Sequence, residues 1–85
     1  MKVDFRKVEL KDIEGNIENY DLSKELGNAI YKKTADLGEL DLAQRIYKQG
    51  EVEIDDTEKE VIKRYVKENF LAFVQLSVNE MLEQK

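Results

Sequence analysis

Val8-Glu9-Leu10-Lys11-Asp12-Ile13-Glu14-Gly15-Asn16-Ile17-Glu18-Asn19-Tyr20-Asp21-Leu22 is the stretch whose reading decides the fold class. Val8 and Leu10 alternate with charged residues on one side of Glu14-Gly15-Asn16, and Tyr20 and Leu22 do so on the other. Gly and Asn tolerate the positive φ of a tight turn, so the stretch predicts a β-hairpin. A two-residue Gly15-Asn16 loop would set Leu10 against Asp21 and Leu22 against Glu9. A three-residue loop instead pairs Leu10 with Tyr20 and Val8 with Leu22, with Ile13 opposite Ile17, and these coherent cross-strand pairs favour it. Upstream, Val3 and Phe5 have the opposite parity, which places a bulge near Arg6-Lys7 where the register moves by one.

Downstream the period changes from two to that of a helix. Leu26, Ala29, Ile30, Lys33 and Leu37 predict a helix over 24–37, with Ser23 as N-cap and Gly38 just past its end. Gly27 within it costs about 1 kcal/mol relative to Ala; either another element approaches closely there or the backbone faces a ligand. Leu42, Ala43, Ile46 and Tyr47 mark a second helix from about 40 to 49, stopped by Gly50. The two make a helical hairpin. They are a poor helix-turn-helix, because the second offers only Arg45, Lys48, Gln44 and Gln49 beside Glu39 and Asp41.

Glu51-Val52-Glu53-Ile54 alternates, and either adds a short third strand to the hairpin or bridges one or two residues only. Asp55 with Glu58, or Thr57 with Glu60, forms a capping box opening a third helix, whose apolar stripe is Val61, Ile62, Tyr65 and Val66. The last segment, Phe70, Leu71, Phe73, Val74, Val78, Met81 and Leu82, is apolar over about 180° of a helix. In one straight helix over 57–83 this arc would sit about 140° from the stripe of the third helix. Either the chain kinks near Lys67-Glu68-Asn69, or one long helix packs on its own domain first and on a second subunit afterwards. The reading is a single α+β domain over 1–85: an N-terminal β-hairpin packed against three or four α-helices.

Composition narrows the chemistry. The 85 residues include no Cys and no His. Disulfides, thiolate metal sites, cysteine nucleophiles and the usual general base are therefore absent. Ser23 and Thr57 read as caps, Ser77 lies in the apolar arc, and the four glycines stand apart rather than in a phosphate loop. No catalytic, cofactor-binding or metal-binding residue is assigned, and no small-molecule substrate is expected. The N-terminus lacks the uninterrupted apolar core of a signal peptide. No stretch reaches the ~20 apolar residues of a membrane helix, so a cytoplasmic protein is expected.

The net charge is −5, and Glu51 to Glu60 carry all of it: six acids against one lysine, while the other 75 residues hold 13 of each sign. Without clustered Lys and Arg, direct nucleic-acid binding is not expected. Glu51, Glu53, Asp55, Asp56 and Glu58 could form an acidic patch for a hard cation or for a basic surface on another protein, although no window fits an EF-hand. The plainer reading gives the acids to a helix N-terminus and the wet face of an exposed strand.

Lys11-Asp12-Ile13-Glu14-Gly15-Asn16, Ser23-Lys24-Glu25-Leu26-Gly27-Asn28-Ala29-Ile30-Tyr31 and Ile46-Tyr47-Lys48-Gln49-Gly50-Glu51-Val52-Glu53-Ile54 give the chain a resemblance to small uncharacterised proteins encoded in bacterial prophages and integrated elements. That resemblance implies a virion-assembly or accessory protein without catalytic residues, and so a cytoplasmic or virion-associated location. The function expected is a non-catalytic interaction module. Its partner interface is Phe70, Phe73, Val74, Leu76, Val78 and Met81, engaging a protein partner or a second copy of itself. The alternative is an acidic regulator acting through residues 51–60.

Overall fold

Phe5 has no solvent-exposed surface, and its neighbours are arranged around that fact. In the computed structural model, which describes residues 1–83, the chain forms β1 (Lys2–Asp4), β2 (Val8–Lys11), β3 (Ile17–Tyr20), α1 (Ser23–Lys33), α2 (Leu37–Gln49), β4 (Glu51–Glu53), α3 (Asp56–Asn69) and α4 (Ala72–Glu83). The fold is α+β, with two separate two-stranded antiparallel sheets, β1–β4 and β2–β3. The expected third strand exists as β4 but does not extend the hairpin. It pairs with β1, Val3 opposite Val52, because the chain breaks where a bulge was expected. There the Lys7 N–H donates to the Asp4 carbonyl (3.3 Å), and this turn separates β1 from β2.

The hairpin is β2–β3, and its register differs from the expected one by two residues: Val8 faces Tyr20 and Leu10 faces Glu18. The loop has three residues, as expected, but begins one position earlier. Asp12 causes the shift. Its carboxylate accepts the Glu14 and Asn16 N–H groups (2.9 Å each) and the Asn16 side-chain amide (3.1 Å), which it can do only when it closes the loop. Gly15 supplies the positive φ of +88°. Ile13 is thereby left at the tip, fully exposed, instead of facing Ile17.

Local polar groups also shorten the first helix. Ser23 is its first residue rather than its N-cap, and its N–H and hydroxyl both donate to Asp21 (3.0 and 2.6 Å). The helix stops at Lys33 because Thr34 turns extended, and its hydroxyl accepts the Asp36 N–H (3.0 Å). Asp36 then caps α2 by accepting the Glu39 N–H (3.0 Å). Gly38 therefore opens the second helix instead of ending the first, and Leu37 points into solvent. Gly50 ends α2 with φ +73°, as its position predicts.

The capping box at the start of α3 is the Asp55–Glu58 pair. Residues 57–83 form two helices, and the break falls at Phe70-Leu71, slightly beyond the expected Lys67-Glu68-Asn69. Phe70 is extended (φ −126°, ψ 154°), and the Gln75 side-chain amide donates to the Phe70 carbonyl (2.8 Å), bracing the corner. The corner solves the geometry of the two stripes. Ile62, Tyr65 and Val66 of α3 and Val74, Val78 and Leu82 of α4 now face one core with Phe5, Val8, Leu26, Ile30 and Ile46. Burial of each such large side chain contributes about 1.5–3 kcal/mol.

At the α1–α2 crossing Gly27 is the point of closest approach. A Cβ there would lie 2.9 Å from the Tyr47 Cβ and 3.0 Å from the Ala43 carbonyl oxygen, which is backbone and cannot swing away. Gly27→Ala is accordingly expected to destabilise the fold by about 1–3 kcal/mol despite alanine's better helix propensity. Urea unfolding followed by circular dichroism checks this; a gain in stability would mean that the helices do not cross at this distance.

Candidate functional site

The apolar arc at the end of the chain divides between two environments. Val74, Val78 and Leu82 lie in the core, while Phe70 and Met81 lean on its edge. Of the expected partner interface, Val74 and Val78 are thus covered by the chain's own fold and are unavailable to a partner. Phe73 is 47% exposed and Leu76 61%. They lie three residues apart, on one face of α4. Leu71, which was not among the expected interface residues, is 72% exposed at the corner just before them. Periodicity alone marks a wide arc but does not say which half the domain will cover, and so Leu71 was missed.

Three of the six acids of the segment 51–60 are engaged within the chain. Glu53 accepts the N-terminal ammonium (3.1 Å). Asp55 accepts the Glu58 N–H (2.7 Å) and Glu58 accepts the Asp55 N–H (3.1 Å), while the second oxygen of Glu58 pairs with Arg45. Glu51, Asp56 and Glu60 remain as exposed acids. Among the described residues no group of three acids is gathered to hold a metal ion.

The densest convergence of polar side chains is elsewhere and was not foreseen. Glu39, in the first turn of α2, accepts from the Thr34 hydroxyl (2.8 Å), the Tyr65 hydroxyl (3.0 Å) and the Arg64 guanidinium (3.1 and 3.0 Å). Arg64 also lies 5.0 Å from the centre of the Tyr65 ring. Burial pushes the Glu39 carboxyl up, but the Thr34, Arg64 and Tyr65 contacts together outweigh it and hold the group below its ordinary value. Both carboxylate oxygens are occupied, so the cluster joins α2 to α3 and has no free group with which to act on a substrate. The only sequence signal for it was the separate presence of these residues on two helix faces.

Ser77 is buried beside a cleft between β1, β2 and α4. Two charged side chains in that cleft, Lys11 and Glu80, pair with each other at 3.5 Å and stand half in solvent. Among the described residues no side chain is placed to activate the serine, and no reaction step follows from the arrangement. Among the described residues no helix is long and apolar enough to cross a membrane.

The Glu39 carboxylate stabilises the native state above its unfolded-state pKa, and this contribution is lost as pH falls through the lowered folded-state value. Glu39→Gln is expected to cost about 1–2 kcal/mol near neutral pH, since Arg64 is half exposed. It should also flatten the acid limb of the stability curve, and thermal melts across a pH series check both effects.

Compared with models of protein families, with curated proteins and with solved structures, the chain matches none.

Proposed function

We propose that this chain is a non-catalytic interaction module that docks through Leu71, Phe73 and Leu76 at the start of α4. The observation that carries the reading is the exposure of three large apolar side chains within six residues, Leu71 at the corner and Phe73 and Leu76 on one face of α4. Exposed apolar clusters of this kind mark association surfaces, and burying them removes water from apolar surface at about 25 cal/mol per Å². The lack of Cys and His, and the engagement of Glu39 and of Glu53, Asp55 and Glu58 within the fold, support a role without chemistry. The surface suits a second copy of the chain, or another protein with a matching apolar face. A virion-assembly or accessory role, as the likeness to prophage-encoded proteins implies, belongs to the same proposal.

Light scattering after size exclusion, at high micromolar protein, is expected to give a mass above that of one chain. The double variant Phe73→Ser and Leu76→Ser should return it to a monomer, with stability lowered by no more than about 1–3 kcal/mol, because Leu76 is mostly exposed and Phe73 half exposed. A wild-type monomer at that concentration removes self-association, and a strongly destabilised double variant would mean that these side chains serve the fold instead.

A further inference from the structure

The two sheets leave a gap between them, and the residues bordering it share one property. β1 directs its odd-numbered backbone groups at the strand opposite: the Ile54 N–H donates to the Met1 carbonyl (2.7 Å) and the Phe5 N–H to the Gly50 carbonyl (2.9 Å). In an antiparallel ladder alternate residues address opposite edges, so Lys2 and Asp4 turn their N–H and C=O groups away from β4. On the hairpin, the Asp12 N–H donates to the Asn16 carbonyl (3.1 Å). That assigns Val8 and Leu10 to β3 and turns Glu9 and Lys11 outward. Lys2, Asp4, Glu9 and Lys11 all line one cleft of about 480 Å³, walled by Ser77 and Met81 of α4. Among the described residues, one hydrogen bond reaches these outward backbone groups, from the Lys7 N–H to the Asp4 carbonyl. The cleft therefore lies between two open strand edges, each offering backbone donors and acceptors to an extended segment.

Charge narrows the occupant. Asp4 is engaged by Arg6 (3.0 Å) and Lys11 by Glu80 (3.5 Å). The lining holds Lys2, Lys7 and Lys11 against Asp4, Glu9 and Glu80; with Asp4 held by Arg6 from outside it, Lys2, Lys7 and Glu9 remain, a local excess of one positive charge in a chain whose net charge is −5. The edge of β1 that is already filled shows what pairs with it: β4, whose Glu53 lies opposite Lys2. A second copy of this chain cannot supply the same acidic, alternating strand. Its Val52 and Ile54 are buried in their own core, and the acids that follow are helical.

We infer that the cleft between β1 and β2 receives an extended acidic segment of another protein as an added strand. Its backbone hydrogen-bonds to the open edges, its acidic side chains face Lys2 and Lys7, and its apolar side chains face Met81. This surface is distinct from the exposed face of α4 and does not depend on it.

The test uses the full chain labelled with nitrogen-15 and the peptide acetyl-Glu-Val-Glu-Val-Glu-Val-amide. Addition of the peptide is expected to shift the Lys2, Asp4, Glu9 and Lys11 amides and slow their exchange with solvent. The same peptide N-methylated at alternate amides keeps its side chains and loses its donors, and is expected not to bind. Lys2→Glu together with Lys7→Glu should weaken binding roughly fivefold or more, the size expected for two exposed ion pairs, while the melting temperature holds. Unmoved amides at these four positions, equal binding of the N-methylated peptide, or shifts confined to Phe73 and Leu76 would overturn the inference. Concentration-dependent shifts at the four amides without peptide would overturn it too, since a second copy would then be the occupant.

Discussion

The backbone of Phe5 holds the domain together at one point. Its N–H donates to the Gly50 carbonyl (2.9 Å) and its carbonyl accepts the Leu22 N–H (2.8 Å), while its ring is fully buried. One residue thus joins the end of β1 to the residue before β4 and to the entry of α1. Gly50 must take a positive φ to present its carbonyl there, and the Arg6 side chain occupies the space where any larger residue would place its Cβ. The sheets are too short to persist alone, since an isolated two-stranded pair is marginal in water. Their stability comes from Val3, Phe5, Val8 and Val52 meeting the helices in one core.

Given that core, the Phe70-Leu71 corner determines what the last helix offers to the outside. By turning α4 back, it places Val74, Val78 and Leu82 inside and leaves Leu71, Phe73 and Leu76 at the surface. The same helix stands beside β2, and so walls the cleft between the open strand edges. One structural decision thus produces both surfaces on which a functional reading rests. The polar clusters act differently. Glu39 with Thr34, Arg64 and Tyr65, and Glu58 with Arg45 and Asp55, join elements to one another and have little capacity left for a ligand.

What was legible in the amino-acid order was what short-range chemistry specifies. The stop at Gly50, a capping box opening the third helix (one of two candidate pairs) and the close approach at Gly27 (one of two readings) each depend on residue type at a fixed local spacing. The hairpin register was not legible from apolar pairing, because three hydrogen bonds to the Asp12 carboxylate outweighed the pairing of Ile13 with Ile17. The first helix looked longer than it is because Leu37 continues its period, whereas Thr34 and Asp36 stop it and start the next. β4 was recognisable as a strand, but its partner is some 50 residues away, and alternation carries no information about which edge a strand will join. For the candidate surfaces, the chain showed excess apolar residues but not which would stay wet. The cleft was invisible because residues 3–10 read as one bulged strand instead of two that part.

The pairing of the first strand with one about 50 positions later bears on the order of events during synthesis. At about 5–20 residues per second, β1 leaves the ribosome several seconds before its partner exists. For that interval Val3 and Phe5 have no permanent shelter, while the two-helix unit formed by α1 and α2 can already assemble from contacts between near neighbours. The first strand therefore finds its partner only through a late, long-range closure, and during those seconds Val3 and Phe5 leave adhesive surface open along the emerging chain.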